Sequence, residues 1–398
     1  MKTLKNWILN RQAADHVELK VDGQHLFRIY ILESGLFRVL IKQRGELALN
    51  RTWSIAPQTD VPWEGRDRES TEGFTLPAFE LVQRDNELSI CTDKMRVTVH
   101  QPLWLEWEYC NDAGEWLPLA ADRPTSAYLL NAHGDGVAHY QRRFPTESYY
   151  GLGEKAGDLN RTGGRYEMRN LDAMGYNAAS TDPLYKHIPF TITRKADVSF
   201  GLFYDNLTST MLDLGNELDN YHLAYRRYQA EAGDLDYYMF VGPKVLDVTK
   251  AFVRLTGKTF FGPKWSLGYS GSTMHYTDAP DAQNQLMKFI ELCREHDIPC
   301  DSFQLSSGYT SINNKRYVFN WNYDKVPQPK VMSQAFLDAG IKLAANIKPC
   351  LLQDHPKYQE VAQQGLFIRD SESDCAERSV FWDDEGSHLD FTNPATVK

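Results

Sequence analysis

The feature that most constrains this chain is a change of hydrophobic period near residue 240. Before it, apolar residues fall in short runs that alternate with polar ones. After it, they recur at three- and four-residue spacing, with brief apolar runs between. A period of two buries one face of a strand, and a period near 3.6 buries one face of a helix. The two parts therefore belong to different classes. Residues 25–31, 37–41, 88–92, 95–99, 103–107, 188–192 and 198–203 are short runs rich in β-branched and aromatic residues. Turn signals such as Glu33-Ser34-Gly35 and Asp93-Lys94 separate them. Many short strands at close spacing predict an antiparallel β-sandwich.

Past residue 240, Val245, Val248, Phe252 and Leu255 follow Pro243 at helical spacing and end at Gly257, which predicts a connecting helix. Residues 265–269 read as a strand and 281–297 as a helix with Leu286, Phe289, Ile290 and Cys293 on one face. A strand at 302–305, a helix at 331–339 between Pro329 and Gly340, and a strand at 343–347 follow. Strand–helix alternation implies βαβ units and a parallel sheet. The polar stretch 352–387 reads as a long loop or small insertion, of the kind that builds active sites at the carboxyl ends of barrel strands. The expected division is a β-sandwich domain over 1–241, a linker helix over 242–260, and the first part of a (β/α)8 barrel over 261–398. A full barrel takes ~250 residues and eight strands, whereas the roughly 140 residues from Gly262 onward hold three. An opened barrel would carry a hydrophobic parallel edge able to self-associate. The alternative, a small doubly wound sheet, has no GxGxxG or GxxxxGK[ST] segment to support it.

Charge and cysteine usage narrow the function. With 43 Lys+Arg against 53 Asp+Glu, the formal net charge is −10, which argues against nucleic acid or an anionic membrane as partner. No apolar run approaches the ~20 residues of a membrane span. Asn10, Arg11, Gln12 and Asp15 interrupt any signal-peptide core, so a cytoplasmic location is expected. The six cysteines form no CxxC pair or Cys/His cluster, and neither a metal nor another cofactor is expected. Aromatic residues make up 12 % of the chain. They suit the C–H faces of sugars and a sandwich core equally well.

Several segments carry a family likeness. Tyr149-Tyr150-Gly151-Leu152-Gly153-Glu154 resembles the "YGLGE" signature of glycoside hydrolase family 31, the α-glucosidase and α-xylosidase family. Phe261-Gly262-Pro263-Lys264-Trp265-Ser266-Leu267-Gly268 is similar to the family's entry to its first barrel strand, and Ile298-Pro299-Cys300-Asp301 to the opening of the second. Gly340-Ile341-Lys342-Leu343 leads a third strand ending at Lys348-Pro349. Phe381-Trp382, and later Asp390-Phe391-Thr392-Asn393-Pro394, resemble the tryptophan and "DFTNP" before the fourth.

The resemblance implies a retaining α-glycosidase, or an α-transglycosylase using the same covalent intermediate. The other reading is a carbohydrate-binding protein without catalysis. Retaining chemistry needs two carboxyl groups ~5 Å apart. In the family the nucleophile follows DFTNP and the acid/base lies further on, so both are expected to be absent from these 398 residues and the chain alone to be inactive. Trp382-Asp383-Asp384-Glu385 precedes DFTNP and reads as subsite lining or an acidic turn. The resemblance further implies substrate contacts at Asp172, in a sandwich loop, and at Ser306, Ser307, Lys348, Leu351 and Trp382. Ser306 and Lys348 stand where many members carry Asp, which leaves galactose, xylose or a modified sugar open alongside glucose.

Overall fold

The computed structural model describes residues 2–57, 60–131, 135–381 and 383–398. The chain forms two compact units, Met1–Lys258 and Thr259–Lys398.

The first unit is an antiparallel sandwich. One layer is an eight-stranded sheet in the order Ser148–Gly153, His187–Arg194, Ser199–Tyr204, Leu235–Gly242, Leu36–Lys42, His25–Glu33, His16–Val21, Trp7–Gln12. Facing it are a five-stranded and a six-stranded sheet, and a single apolar core draws side chains from all three. Period-two alternation explains the packing. In strand Met95–His100 every second residue is buried, and Val97 sits level with Ile90 on one side and Trp107 on the other. Each such row presents a cross-strand apolar cluster to the core. The strands read from the sequence at 25–31, 37–41, 95–99 and 188–192 lie within observed strands, and those at 88–92, 103–107 and 198–203 each overrun an observed strand by one residue.

The YGLGE segment is a bulged edge strand, with its register shift between Gly151 and Gly153. Gly151 has φ +108°, and a Cβ there would stand 2.4 Å from the Phe190 carbonyl oxygen. Only glycine can close the strand onto its neighbour at that point. The bulge turns Leu152 fully into the core.

The helix Val245–Thr256 corrects the linker expected over 242–260. It belongs to the first unit and covers the outer face of the eight-stranded sheet. Val248 and Leu255 are buried among Leu40, Phe190, Phe203 and Phe240, and Phe252 stacks on Phe190 at 4.0 Å. The central strand Leu36–Lys42 is consequently buried on both faces. Within that dry layer Arg38 binds Asp236 through two hydrogen bonds, Nε–Oδ1 at 2.8 Å and Nη2–Oδ2 at 2.7 Å. Its guanidinium also lies 5.2 Å from the Tyr30 and Tyr238 rings.

The second unit centres on three parallel strands, Ser270–Thr273, Ser302–Leu305 and Lys342–Ala345, in that order. The helices Ala282–Glu295 and Pro329–Asp338 share a core with the sheet, placing Leu286, Ile290, Met332 and Phe336 with Phe303 and Leu305. Pro329 takes a first-turn position, where its missing N–H costs nothing. The same helix ends in a Schellman motif. The Ile341 N–H bonds the Phe336 carbonyl, and the Gly340 N–H bonds the Leu337 carbonyl.

One local expectation fails here and another is narrowed. The first strand is Ser270–Thr273 in place of 265–269, and Lys264–Leu267 is a 3-10 turn with Ser266 bonded back to the Pro263 carbonyl. Of the two readings of 352–387, a long loop or a small insertion, the structure shows the second. Strands Cys350–Leu352, Asp384–His388 and Ser379–Phe381 form an antiparallel sheet. Together with the helix Tyr358–Gln363 it encloses a small core of Val318, Leu351, Tyr358 and Phe367.

Candidate functional site

The parallel register sets the three barrel strands level: Thr273, Leu305 and Ala345 are neighbours across the sheet. One row back, Ser272, Gln304 and Ala344 are also aligned, and all three are exposed. Because side chains alternate along a strand, the face carrying Gln304 continues at its carboxyl end with Ser306, and that carrying Ala344 continues with Asn346. The uncovered face of the sheet therefore ends in small and neutral polar groups. Its covered face ends in Leu305, which is buried under the helices.

Tyr309 ties the second strand end to the third. Its hydroxyl donates to the Asn346 carbonyl at 3.0 Å, while the Asn346 N–H bonds the Leu305 carbonyl at 3.1 Å. The Tyr309 ring packs 4.8 Å from Trp321, and burial raises its phenol above the usual range. Lys325 reaches the same turn, donating to the Ser311 hydroxyl at 3.0 Å and the Asp278 carbonyl at 3.1 Å. Asp278 itself stands against the turn, and a Cβ on Gly308 would lie 2.1 Å from its Oδ1. Asp278 is exposed, so it is a carboxylate available at the carboxyl side of the sheet.

Beyond the turn, strands Ser311–Ile312 and Lys315–Arg316 form a hairpin closed by Asn313-Asn314, both at positive φ (49° and 62°). Two left-handed residues give the turn whose twist matches the paired strands. This hairpin absorbs the acidic segment after Trp382. Arg316 grips Asp383 through Nη1 and through its backbone N–H, each at 2.8 Å, and donates from Nε to the Ser307 hydroxyl at 3.0 Å. Lys315 pairs with Asp384 at 2.5 Å and Asp354 at 3.1 Å. The Lys315 hydrogen bond holds the Asp384 carboxyl below its usual range. Glu385 takes a hydrogen bond from Gln353 and lies 3.7 Å from Arg378. All three acids of the turn are thus engaged in holding loops.

The residues singled out in the sequence separate on this framework. Ser306 is half-buried at the second strand end, and its side chain makes no capping bond to the following turn. Ser307, next to it, is buried and bonded to Arg316, so its hydroxyl positions the hairpin. Lys348 follows the third strand, half-buried, with Nζ 6.0 Å from the Phe381 ring. Leu351 is a correction: at 2 % exposure it packs with Val318, Tyr358 and Phe367 and offers no open subsite wall. Trp382 lies outside the described residues. Asp172 belongs to the first unit, where it is exposed and accepts a hydrogen bond from the Tyr185 hydroxyl at 2.6 Å. Sequence reasoning missed Arg316, Tyr309 and Asp278. The Asn-Asn pair flanked by Ile312 and Lys315 was a usable hairpin signal; Tyr309 and Asp278 had none.

Comparisons with known proteins match this architecture. The family model described as "Glycosyl hydrolase 31 N-terminal galactose mutarotase-like domain" matches residues 26–213, and the "Glycosyl hydrolases family 31 TIM-barrel domain" matches residues 259–398. The chain is 31 % identical over 254 residues to alpha-glucosidase 2 of Bacillus thermoamyloliquefaciens, a match covering 63 % of this chain and 31 % of that protein. It is 25 % identical over 325 residues to alpha-xylosidase XylQ of Lactiplantibacillus pentosus, covering 81 % of this chain and 40 % of that one. The chain therefore spans well under half the length of these relatives. In fold it is similar to the GH31 dextranase FjDex31A of Flavobacterium johnsoniae complexed with glucose, with a TM-score of 0.80 and 22 % identity over 99 % of this chain and 44 % of that one. The second unit thus has the fold of part of a TIM barrel.

Proposed function

Because the chain belongs to glycoside hydrolase family 31, we propose that it serves the hydrolysis of α-linked glycosides by retention, with the sugar held at the carboxyl ends of its three parallel strands. Ser306 and Asn346 would supply neutral donors and acceptors to sugar hydroxyl groups, and Lys348 a cation beside them. We further propose that these 398 residues do not turn substrate over on their own. One observation supports this: the acids of the turn after position 382, Asp383, Asp384 and Glu385, are each engaged by Arg316, by Lys315, or by Gln353 and Arg378, which leaves Asp278 as the one available carboxylate described above at the strand ends, where retention needs two. A carboxylate clamped by a guanidinium is a weak nucleophile and a poor proton donor, whereas retaining hydrolysis needs one carboxylate free to attack and one protonated.

The test is an assay of the 398-residue chain on 4-nitrophenyl α-glucoside, α-xyloside and α-galactoside. The expected result is release of nitrophenol no faster than the buffer blank. Saturable release that is lost with Asp383→Asn would overturn the assignment of the acidic turn to structure. Saturable release that survives Asp383→Asn and falls with Asp278→Asn would place chemistry at the end of the first strand.

A further inference from the structure

Two of the six cysteines lie at one corner of the second unit, where the helix Ala282–Glu295 hands over to the strand Ser302–Leu305. Cys293 sits in the last turn of the helix, 9 % exposed, and continues the apolar face of Leu286 and Ile290. Cys300 comes just before the strand, half-buried and packed against the same core.

The turn between them folds the second back onto the first. The Ile298 N–H bonds the Cys293 carbonyl at 2.8 Å and the Asp297 N–H bonds the Arg294 carbonyl at 3.3 Å, with Asp297 at φ 50°. This is the Schellman arrangement, which reverses the chain over the third residue from the helix end. Here that residue is Cys293. Cys300 Sγ lies 3.2 Å from the Ser302 carbonyl and 3.7 Å from that of Tyr269, which hold it at the strand entrance. The Cys293 thiol meets it there. Burial, and then the hydrogen-bonded Cys300 thiol beside it, raise Cys293 above the usual thiol range.

Side chains whose thiols are in hydrogen-bond contact already point at one another, which is the condition a disulfide imposes. Among the described residues no other two cysteines meet in this way. Cys91 and Cys110 stand on strands Glu87–Cys91 and Trp104–Cys110, with Met95–His100 between them. Cys350 is buried and Cys375 is exposed, each apart from the pair.

We propose that Cys293 and Cys300 are a redox pair, which hydrogen peroxide closes to a disulfide that bolts the helix end to the strand entrance. The half-buried Cys300 reacts first. Its thiolate attacks one peroxide oxygen, the O–O bond breaks, and hydroxide leaves, giving a sulfenic acid. Burial keeps Cys293 a thiol near neutrality, so it responds to the activated Cys300 sulfur and not to peroxide itself. On losing its proton it attacks that sulfur; the S–S bond forms, the S–O bond breaks, and a second hydroxide leaves. The two thiol protons and the two hydroxides make two waters. The pair lies at the opposite end of the strand from Ser306, and the proposal is independent of the sugar reading.

The experiment treats the full, reduced 398-residue chain with hydrogen peroxide, alkylates the remaining thiols in denaturant, and maps the peptides by mass spectrometry. A loss of two of the six free thiols is expected, reversed by dithiothreitol, with a two-hydrogen mass loss confined to the peptides carrying Cys293 and Cys300. Amide exchange over residues 296–302 is expected to slow on oxidation and to recover on reduction. After peroxide, Cys300→Ser is expected to leave Cys293 fully alkylatable, and Cys293→Ser to leave Cys300 as a sulfenic acid trapped by dimedone. Circular dichroism of each variant verifies the fold. Six alkylatable thiols after peroxide, a sulfinic acid at Cys300 of the unsubstituted chain, a disulfide that includes any other cysteine, or unchanged amide exchange would each overturn the proposal.

Discussion

In the first unit the middle of the eight-stranded sheet is covered on both faces, one by the facing sheets and the other by the helix Val245–Thr256 and the side chains packed with it. In the second, helices cover one face of three parallel strands, and Ser272, Gln304 and Ala344 stay open on the other. One ion pair from each unit shows a parallel contrast. Arg38 and Asp236 are 2 % and 0 % exposed at their side chains, whereas Lys315 and Asp384 are 33 % and 49 % exposed. A pair sealed from water has strong attraction and a high desolvation cost, so removing one partner strands the other. A pair in water contributes little, because solvent replaces the lost partner. The Arg38–Asp236 pair therefore serves the cohesion of its sheet, and the Lys315–Asp384 pair the placement of a hairpin.

The comparison can be broken or sharpened by substitution. The largest effect is expected from Asp236→Ala, which leaves the Arg38 guanidinium buried and unpaired, at a cost of about 3–5 kcal/mol. Urea titration followed by a probe in the first unit would measure it, and a loss below 1 kcal/mol would mean that the sheet is wet at that point. Next comes Leu286→Ala in the second unit, where a fully buried side chain packs with Phe303 and Phe336. A loss of ~2–5 kcal/mol is expected, with the upper half of that range only if the two helices cannot collapse into the cavity. Asp383→Ala should cost about 1–2 kcal/mol, read by faster amide exchange over 311–316, since it frees Arg316 from both bonds. If it costs as much as Asp236→Ala, the second unit is as dry as the first.

The smallest effect concerns pH. Lys315 holds the Asp384 carboxyl below its usual value of 3.8. A depressed carboxylate adds stability above its unfolded-state value, and that contribution is lost as pH falls through the folded one. The difference between the native chain and Asp384→Asn should accordingly be present at pH 7 and vanish on acidification below pH 3.8. Thermal melts across that range would measure it. A difference that grows on acidification would contradict the pairing.

Where burial follows periodicity, the sequence could be read directly. Val97 and Val99 at alternate positions, Leu286, Ile290 and Cys293 at helical spacing, and Pro329 with Gly340 at the ends of one helix are local signals, and the structure places each in the element they indicate. Strand Ser270–Thr273 and strand Asp384–His388 contain no large apolar side chain, so no pattern could announce them. They are strands because neighbouring strands supply hydrogen-bond partners. The site divides along the same line. Ser306 could be placed at a strand end from the order of elements, because the second strand was correctly bounded. That Ser307 would be bonded to Arg316, that Leu351 would be core, and that the acids after Trp382 would be engaged by Lys315, Arg316 and Gln353 depended on contacts far apart in the chain.

The sequence by itself determined the two classes of secondary structure, the place where one gives way to the other, and the family. These rest on the spacing of apolar residues and on short motifs that need only their own neighbours. Tertiary structure alone decided which charges are dry, such as those of Arg38 and Asp236, and which hydroxyl groups are spent on structure, such as that of Ser307. Burial and hydrogen-bond satisfaction are properties of what packs around a group, and that is set only when distant segments come together.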